Sequence, residues 1–289
     1  MKTDGDGIFN RLAKYGIKPV KTLGQNFLID KNIIDRILVA SDISDADLVL
    51  EIGPGAGSLS GELAEKAGAY CGVEIDKKLI PLLEDMLEDR ENTMILNKDI
   101  LEVDIYDDIL RNYPDYDSYK VVANLPYYIT TPIIMKFLES EYPPSQMTVM
   151  MQKEVADRLR AEPGGKDYGS LTVSAGVFCD IEKVMDVSGN CFFPRPDVTS
   201  TVLKLTNKGK DILKGYDGKL FFSLVRSAFA QRRKKMSNSI VNASDIQITR
   251  AQIEDILTGM GIDSDIRAER MSLENFLEFS TRVERLLIN

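Results

Sequence analysis

Leu48-Val49-Leu50-Glu51-Ile52-Gly53-Pro54-Gly55-Ala56-Gly57-Ser58 is the stretch that decides the fold class. An apolar run of strand length meets three closely spaced glycines, and a helix is expected through Leu59 and Leu63. Strand, glycine loop and helix form the nucleotide-binding half-unit: glycines let backbone approach a ligand, and the helix amino terminus offers unpaired N–H groups. A glycine loop alone is a weak signal. Here a second strand, Tyr70 to Ile75, carries Glu74 about 21 residues after Gly53, where such folds place the acid that binds ribose hydroxyls. The pair predicts a parallel α/β sheet with helices on both faces.

The loop departs from Gly-x-Gly-x-x-Gly and has Glu51 beside it. That charge repels a pyrophosphate but suits a ligand bearing an ammonium and a sulfonium, which favours S-adenosylmethionine over NAD. A third strand, Met94 to Asn97, runs into Lys98-Asp99-Ile100. Asp99 is placed to accept from an adenine amine, and equally to cap a helix or turn. The fourth strand, Val121-Val122-Ala123, halts at Asn124-Leu125-Pro126-Tyr127-Tyr128. In open α/β sheets ligands sit at that carboxyl edge. An amide oxygen beside a fixed backbone carbonyl makes two acceptors, and Tyr127 adds a flat face, a set suited to a planar base with an exocyclic amine. Asn and Pro also favour turns, so the stretch alone reads equally as punctuation. Tyr128 is assigned to core packing.

Composition sets the outer bounds. With 289 residues, 44% hydrophobic and 28% charged, the chain suits a soluble protein of one large domain, or one domain with a smaller companion. No apolar run nears the ~18 residues needed to cross a bilayer, and no signal-peptide core is visible, so a cytoplasmic protein without a membrane partner is expected. The chain has no histidine, which excludes Ser-His-Asp triads and His-ligated zinc. Cys71, Cys179 and Cys191 are scattered and read as buried, inert thiols; no metal is expected. The net charge is −9, yet between Lys204 and Lys235 there are ten Lys/Arg and two Asp/Glu. That local field can hold a polyanion or merely solvate a charged linker.

Residues 1–20 read as a loosely held arm. Asp30 is placed to cap a helix with Ile33, Ile34, Ile37 and Leu38 at helical spacing; whether Gln25 and Asn26 do more than shape its entry is left open. Further strands are expected over Met147–Met151 and Ile181–Val187, with Leu171–Phe178 either helix or strand, and Thr199–Leu205 closing the sheet. Between the last two, Cys191-Phe192-Phe193-Pro194-Arg195-Pro196 is a stiffened loop presenting both phenylalanines. A linker at 208–219 divides residues 1–207 from a helical domain, 208–289, with helices over Leu220–Lys235, Thr249–Met260 and Ser272–Leu287. The first carries Arg226, Arg232, Arg233, Lys234 and Lys235, charges placed to meet the phosphates of a polyanion such as RNA.

In register, these pieces resemble the ribosomal RNA adenine N6,N6-dimethyltransferases that modify small-subunit rRNA. The resemblance runs from about Lys21 to the last helices and rests on Leu23–Leu28, Glu51–Gly57, Val73–Asp76, Asn124–Tyr128 and Phe192–Val198. It implies that Asn26 and Leu28 contact the methionine end of S-adenosylmethionine and Gly53 lies against the cofactor. Glu74 with Ile75 would hold the ribose, Asp99 with Ile100 would read the cofactor adenine, and Asn124 would face both cofactor and target base. Leu125 or Pro126 would supply a carbonyl, and Tyr127 and Phe193 would sandwich the base. The expected substrate is small-subunit rRNA or a pre-assembled small-subunit particle, methylated by a monomer with a part in subunit biogenesis. The macrolide-resistance methylases of large-subunit rRNA share the motifs, and an assembly factor without turnover is a further alternative.

Overall fold

The computed structural model describes residues 5–209 and 217–288. Residues 1–4 of the expected arm and 210–216 of the expected linker lie outside them. The chain forms two compact units: Met1–Phe137 with Tyr142–Ala156 and Glu182–Asn207, and Leu138–Glu141 with Asp157–Ile181 and Lys208–Asn289.

In the first unit, helix α1 (Gly5–Lys14) and a two-residue strand β1 (Phe27–Leu28) precede α2 (Lys31–Ser41). The nucleotide-binding half follows as β2 (Leu48–Ile52), α3 (Ser60–Lys66), β3 (Ala69–Glu74), α4 (Ile80–Leu87) and β4 (Thr93–Asn97). Next come β5 (Tyr119–Asn124), α5 (Thr130–Leu138), β6 (Gln146–Gln152) and α6 (Lys153–Leu159). After α7 (Ser170–Phe178) the chain supplies β7 (Cys179–Val187), β8 (Phe192–Phe193) and β9 (Ser200–Asn207).

The main sheet has the order β4-β3-β2-β5-β6-β9-β7. Its first five strands pair in parallel, and β9 runs antiparallel to β6. All residues of β2 and β3 are buried, as strands covered by helices on both faces must be. Strand order reverses between β2 and β5, so the topological switch point lies there. Their register pairs Ile52 with Ala123, which sets Gly53 and Asn124 side by side as the strands end. A second small sheet pairs β1 with β8, matching Phe27 to Phe193 and Leu28 to Phe192.

Three local expectations are corrected. Gly5–Lys14 is not a loose arm: it is an amphipathic helix whose Ile8 and Leu12 bury against Phe27, Leu79, Leu82 and Leu83. Strand β9 does not close the sheet, because β7 lies outside it. β9 is buried through most of its length, whereas β7 alternates buried with exposed residues as an edge strand does. Of the two phenylalanines, Phe192 is buried and only Phe193 is presented.

The second unit is helical. The stretch Leu171–Phe178, left between helix and strand, lies in α7, and Lys208–Asn289 adds α8 (Gly218–Phe229), α9 (Met236–Ala243), α10 (Arg250–Gly259) and α11 (Leu273–Ile288). Aromatic rings knit it: Phe178 stacks on Phe222 with centroids 5.1 Å apart, and Phe229 on Phe276 at 5.7 Å. Asp217 caps α8, and Thr249 with Gln252 forms a capping box on α10. The helix expected over Leu220–Lys235 is a correction too: α8 stops at Phe229. The polar run Gln231–Lys235 has no apolar face to bury, and the chain turns there. A separate helix, α9, then buries Met236 and Ile240.

Candidate active site

At the carboxyl ends of β2, β3 and β5 a cavity opens in the first unit. Its lining unites residues scattered over the sequence: Asn26 just before β1 and Leu28 within it, Gly53 from the glycine loop, Glu74 at the end of β3 and Ile75 after it, Asp99 and Ile100 after β4, and Asn124 at the end of β5 with Leu125 to Tyr127 after it. Gly53 has φ +63° and faces open space where a Cβ would project, so backbone alone borders the cavity at that point. Gly55, at φ +60°, lets the Phe27 ring approach so closely that an added Cβ would lie 3.0 Å from it.

The acids differ in their surroundings. The Glu74 carboxylate accepts the Gly55 N–H on Oε2 and the Asp76 N–H on Oε1, both at 2.9 Å. Burial holds its pKa above the ordinary value, with those two N–H groups pulling against the shift. Each oxygen still has room for a further donor, which suits a pair of ribose hydroxyls. Asp99 caps a short turn at Ile100–Glu102, its Oδ1 accepting the Leu101 N–H at 2.9 Å. The capping reading holds, and the residue also lines the cavity. Exposed Ile75 and buried Ile100 add apolar surface for a ring. Glu51 lies almost fully buried beneath, its Oε2 accepting the Tyr70 hydroxyl at 2.5 Å.

On the opposite rim the Asn124 side-chain Nδ2 donates to the Asn26 carbonyl at 3.0 Å. That bond commits the amide nitrogen and leaves Oδ1 as an acceptor. The Pro126 carbonyl is occupied by the Ile129 N–H and the Thr130 hydroxyl, whereas that of Leu125 takes no hydrogen bond among the described residues. The Tyr127 hydroxyl is held by Ser200 Oγ at 2.7 Å, which fixes the ring plane. Tyr128 is not core: it is 57% exposed, its ring against Gly24, and it borders the cavity. With its chain turning straight into α5, the aromatic pair cannot bury both rings.

The family description "Ribosomal RNA adenine dimethylase" matches residues 18–281. The chain belongs to the ribosomal RNA adenine dimethylase family. It is 43% identical over 270 residues to the ribosomal RNA small subunit methyltransferase A of Bacillus cytotoxicus, covering 93% of this chain and 92% of that one. The protein of that name from Clostridioides difficile is 44% identical over 265 residues, covering 92% and 91%. Among solved structures, the dimethyladenosine transferase of Plasmodium falciparum superposes with TM-score 0.75 at 24% identity, over 90% of this chain and 98% of that one. The 23S rRNA methyltransferase ErmE superposes with TM-score 0.64 at 26% identity, over 90% and 100%. The methyl donor of an adenine dimethylase of this kind is S-adenosylmethionine, and the lining fits it: acceptors for a ribose and an amine, open space at Gly53, apolar surface for a ring and a buried carboxyl that would suit a cation.

Two expectations about this adenine dimethylase need refining. Phe193 is not in the cavity wall; it pairs with Phe27, which is, and stands 38% exposed with its ring edge-on to Phe9 at 4.8 Å. The five basic residues are not one basic helix face. Arg226 pairs with Glu139, Arg232 donates to the Lys166 and Tyr168 carbonyls at 2.6 and 2.9 Å, and Lys235 pairs with Asp265. Arg233 and Lys234 are exposed, with no side-chain partner among the described residues. Cys191 is only half-buried, while burial pushes the Cys71 and Cys179 thiols up to about 12.

Gln25, left open by the sequence, does more than shape the helix entry: its Oε1 accepts the Val20 N–H and its Nε2 donates to Asp76 at 2.9 Å, tying the Leu23–Leu28 segment to the loop after β3. Its signal was a pair of adjacent amides, Gln25 and Asn26, in a short segment bounded by Leu23 and Phe27. Phe9 carried none, because nothing local says which ring it meets.

Proposed function

We propose that this chain transfers methyl groups from S-adenosylmethionine to N6 of adenines in small-subunit ribosomal RNA. It does so as a cytoplasmic monomer acting on the RNA or a pre-assembled small-subunit particle, and it serves subunit biogenesis. The observation that carries the chemistry is the Asn124 amide, held at its nitrogen by Asn26 with its oxygen left to accept beside the cavity. The substrate follows the small-subunit methyltransferases that match nearly the whole chain.

An adenine N6 is a poor nucleophile because its lone pair is delocalised into the ring. Asn124 Oδ1 and the Leu125 carbonyl hold its two N–H groups and so turn the lone pair out of conjugation. The bound cofactor supplies an electrophilic methyl on a sulfonium. Orientation and aligned acceptors carry the acceleration, and no side-chain base is needed, because the alkylated amine is acidic enough to lose its proton to solvent. In a second round the remaining N–H needs only one of the two acceptors. Tyr127 and Phe193 stack the flipped-out base, each contact contributing roughly 1–3 kcal/mol. In the second unit, Arg233 and Lys234 meet phosphates, which positions the RNA without reading its sequence.

The test is methylation of undermodified small and large ribosomal subunits with labelled cofactor, followed by mapping of the modified base. Label on N6 of small-subunit adenines is expected. Label confined to the large subunit overturns the substrate, and cofactor binding without transfer to either overturns the catalytic role.

A further inference from the structure

Glu51 is a carboxyl without a cation. It is 3% exposed, borders the cavity, and no Lys or Arg pairs with it among the described residues. Its sheet neighbours are Gly72 and Val122, which carry no charge. Three polar groups face it: the Tyr70 hydroxyl, donating at 2.5 Å; the hydroxyl of Ser60 at the start of α3; and the carboxyl of Glu74 on β3. Ser60 Oγ is buried and has no other hydrogen-bond partner among the described residues, so nothing competes for it. An isolated buried carboxylate is costly, and the carboxyl relieves that cost by taking a proton.

We infer that Glu51 distinguishes the sulfonium-bearing cofactor from its neutral thioether product by changing its protonation state. With no cation in the cavity it holds a proton. Entry of S-adenosylmethionine expels that proton to solvent, since a positive charge then faces the carboxylate. Once the methyl has left, the ammonium remains but the sulfur is neutral, so less positive charge favours the carboxylate, Glu51 takes a proton back from solvent, and S-adenosylhomocysteine is released more readily. Tyr70 is the positioning residue: wholly buried, it donates to one oxygen and favours the charged form. The geometry agrees with the acidity: burial, with the Glu74 carboxyl adding to it, pushes the Glu51 carboxyl up to about 7 against the pull of the Ser60 and Tyr70 hydroxyls.

The inference rests on the cofactor reading above, and the experiment separates the two. Titration calorimetry of the full chain with S-adenosylmethionine and with S-adenosylhomocysteine, in two buffers of different ionisation enthalpy between pH 6 and 8, measures protons released per ligand bound. The sulfonium cofactor is expected to release a proton and to bind roughly tenfold more weakly at pH 6 than at pH 8, while the thioether does neither. In Glu51→Gln the difference between the two ligands' proton release should vanish, leaving only what the cofactor's own amine contributes. Tyr70→Phe, which keeps the carboxyl and removes one stabilising donor, should move the release to higher pH and carries the test if the first variant does not fold. Equal release by both ligands, or an unchanged difference in Glu51→Gln, overturns the inference alone. Failure of the wild-type chain to bind either ligand overturns the cofactor reading itself.

Discussion

The Asn124 side-chain nitrogen donates to the Asn26 carbonyl at 3.0 Å, across 98 residues of sequence. This one bond decides which end of the amide is free. Asn124→Ala is expected to lower kcat by about 10²–10³-fold, the usual cost of a lost oriented partner at a reacting centre, with a smaller loss of cofactor affinity. Single-turnover methylation together with cofactor titration checks it. Near-normal turnover in that variant would show that the acceptor lies elsewhere.

Tyr127 has two separable parts. Tyr127→Phe removes the bond to Ser200 and keeps the ring face, so a few-fold change is expected. Tyr127→Ala removes the face and should weaken productive RNA binding by about 1–3 kcal/mol, or roughly 5- to 150-fold. If the two variants prove equally impaired, the hydroxyl rather than the ring is what matters.

Glu51 links stability to pH in a defined direction. Its folded-state pKa of about 7 lies above the ordinary 4.5, so the native chain holds a proton that the unfolded chain has lost between those values. Stability from this group is present below pH 4.5 and is lost as pH rises through 7. At 1.36 kcal/mol per unit the loss is about 3 kcal/mol. Glu51→Gln does not titrate; its stability relative to wild type, measured by urea denaturation without cofactor, should therefore rise from pH 5 to pH 8. A flat difference would place the carboxyl in water.

The basic segment should divide by partner. Arg233→Ala with Lys234→Ala is expected to weaken RNA binding uniformly and to reduce the slope of log K against log salt by about 1.4–1.8, one phosphate for each charge. Arg226→Ala breaks the pair with Glu139 and should leave the slope nearly unchanged. The same slope in the double variant would assign these charges to solvent.

The amino-terminal helix gives a stability test. Ile8 is fully buried among Leu79, Leu82 and Leu83, so Ile8→Ala should cost about 2–5 kcal/mol in urea denaturation. A loosely held arm would give no measurable change.

What could be read without coordinates follows a physical divide. The strands around Leu48–Ile52 and Val121–Ala123 announce themselves because parallel strands are apolar on both faces, and the sites at their ends follow because a strand's carboxyl end fixes where its next residue points. Glu74, Asp99 and Asn124 were legible for that reason. Helix ends in a polar run were not: Arg232–Lys235 continue a charged surface whether or not the helix continues, and only the burial of Met236 and Ile240 shows that a second helix begins. Tyr128 and Phe192 were misplaced because an aromatic residue beside another gives no local sign of which one turns inward.

The sequence by itself determined the parallel α/β class, the cofactor's chemistry and the turn proposed to hold the base, since each depends on residues close together along the chain. Tertiary structure alone decided which atoms of that turn are free. The Asn124 nitrogen is taken by Asn26, the Pro126 carbonyl by the start of α5, and the Tyr127 hydroxyl by Ser200; Asn124 Oδ1 and the Leu125 carbonyl remain. It also left Glu51 without a cation, because burial depends on what packs over a residue and not on its neighbours in sequence.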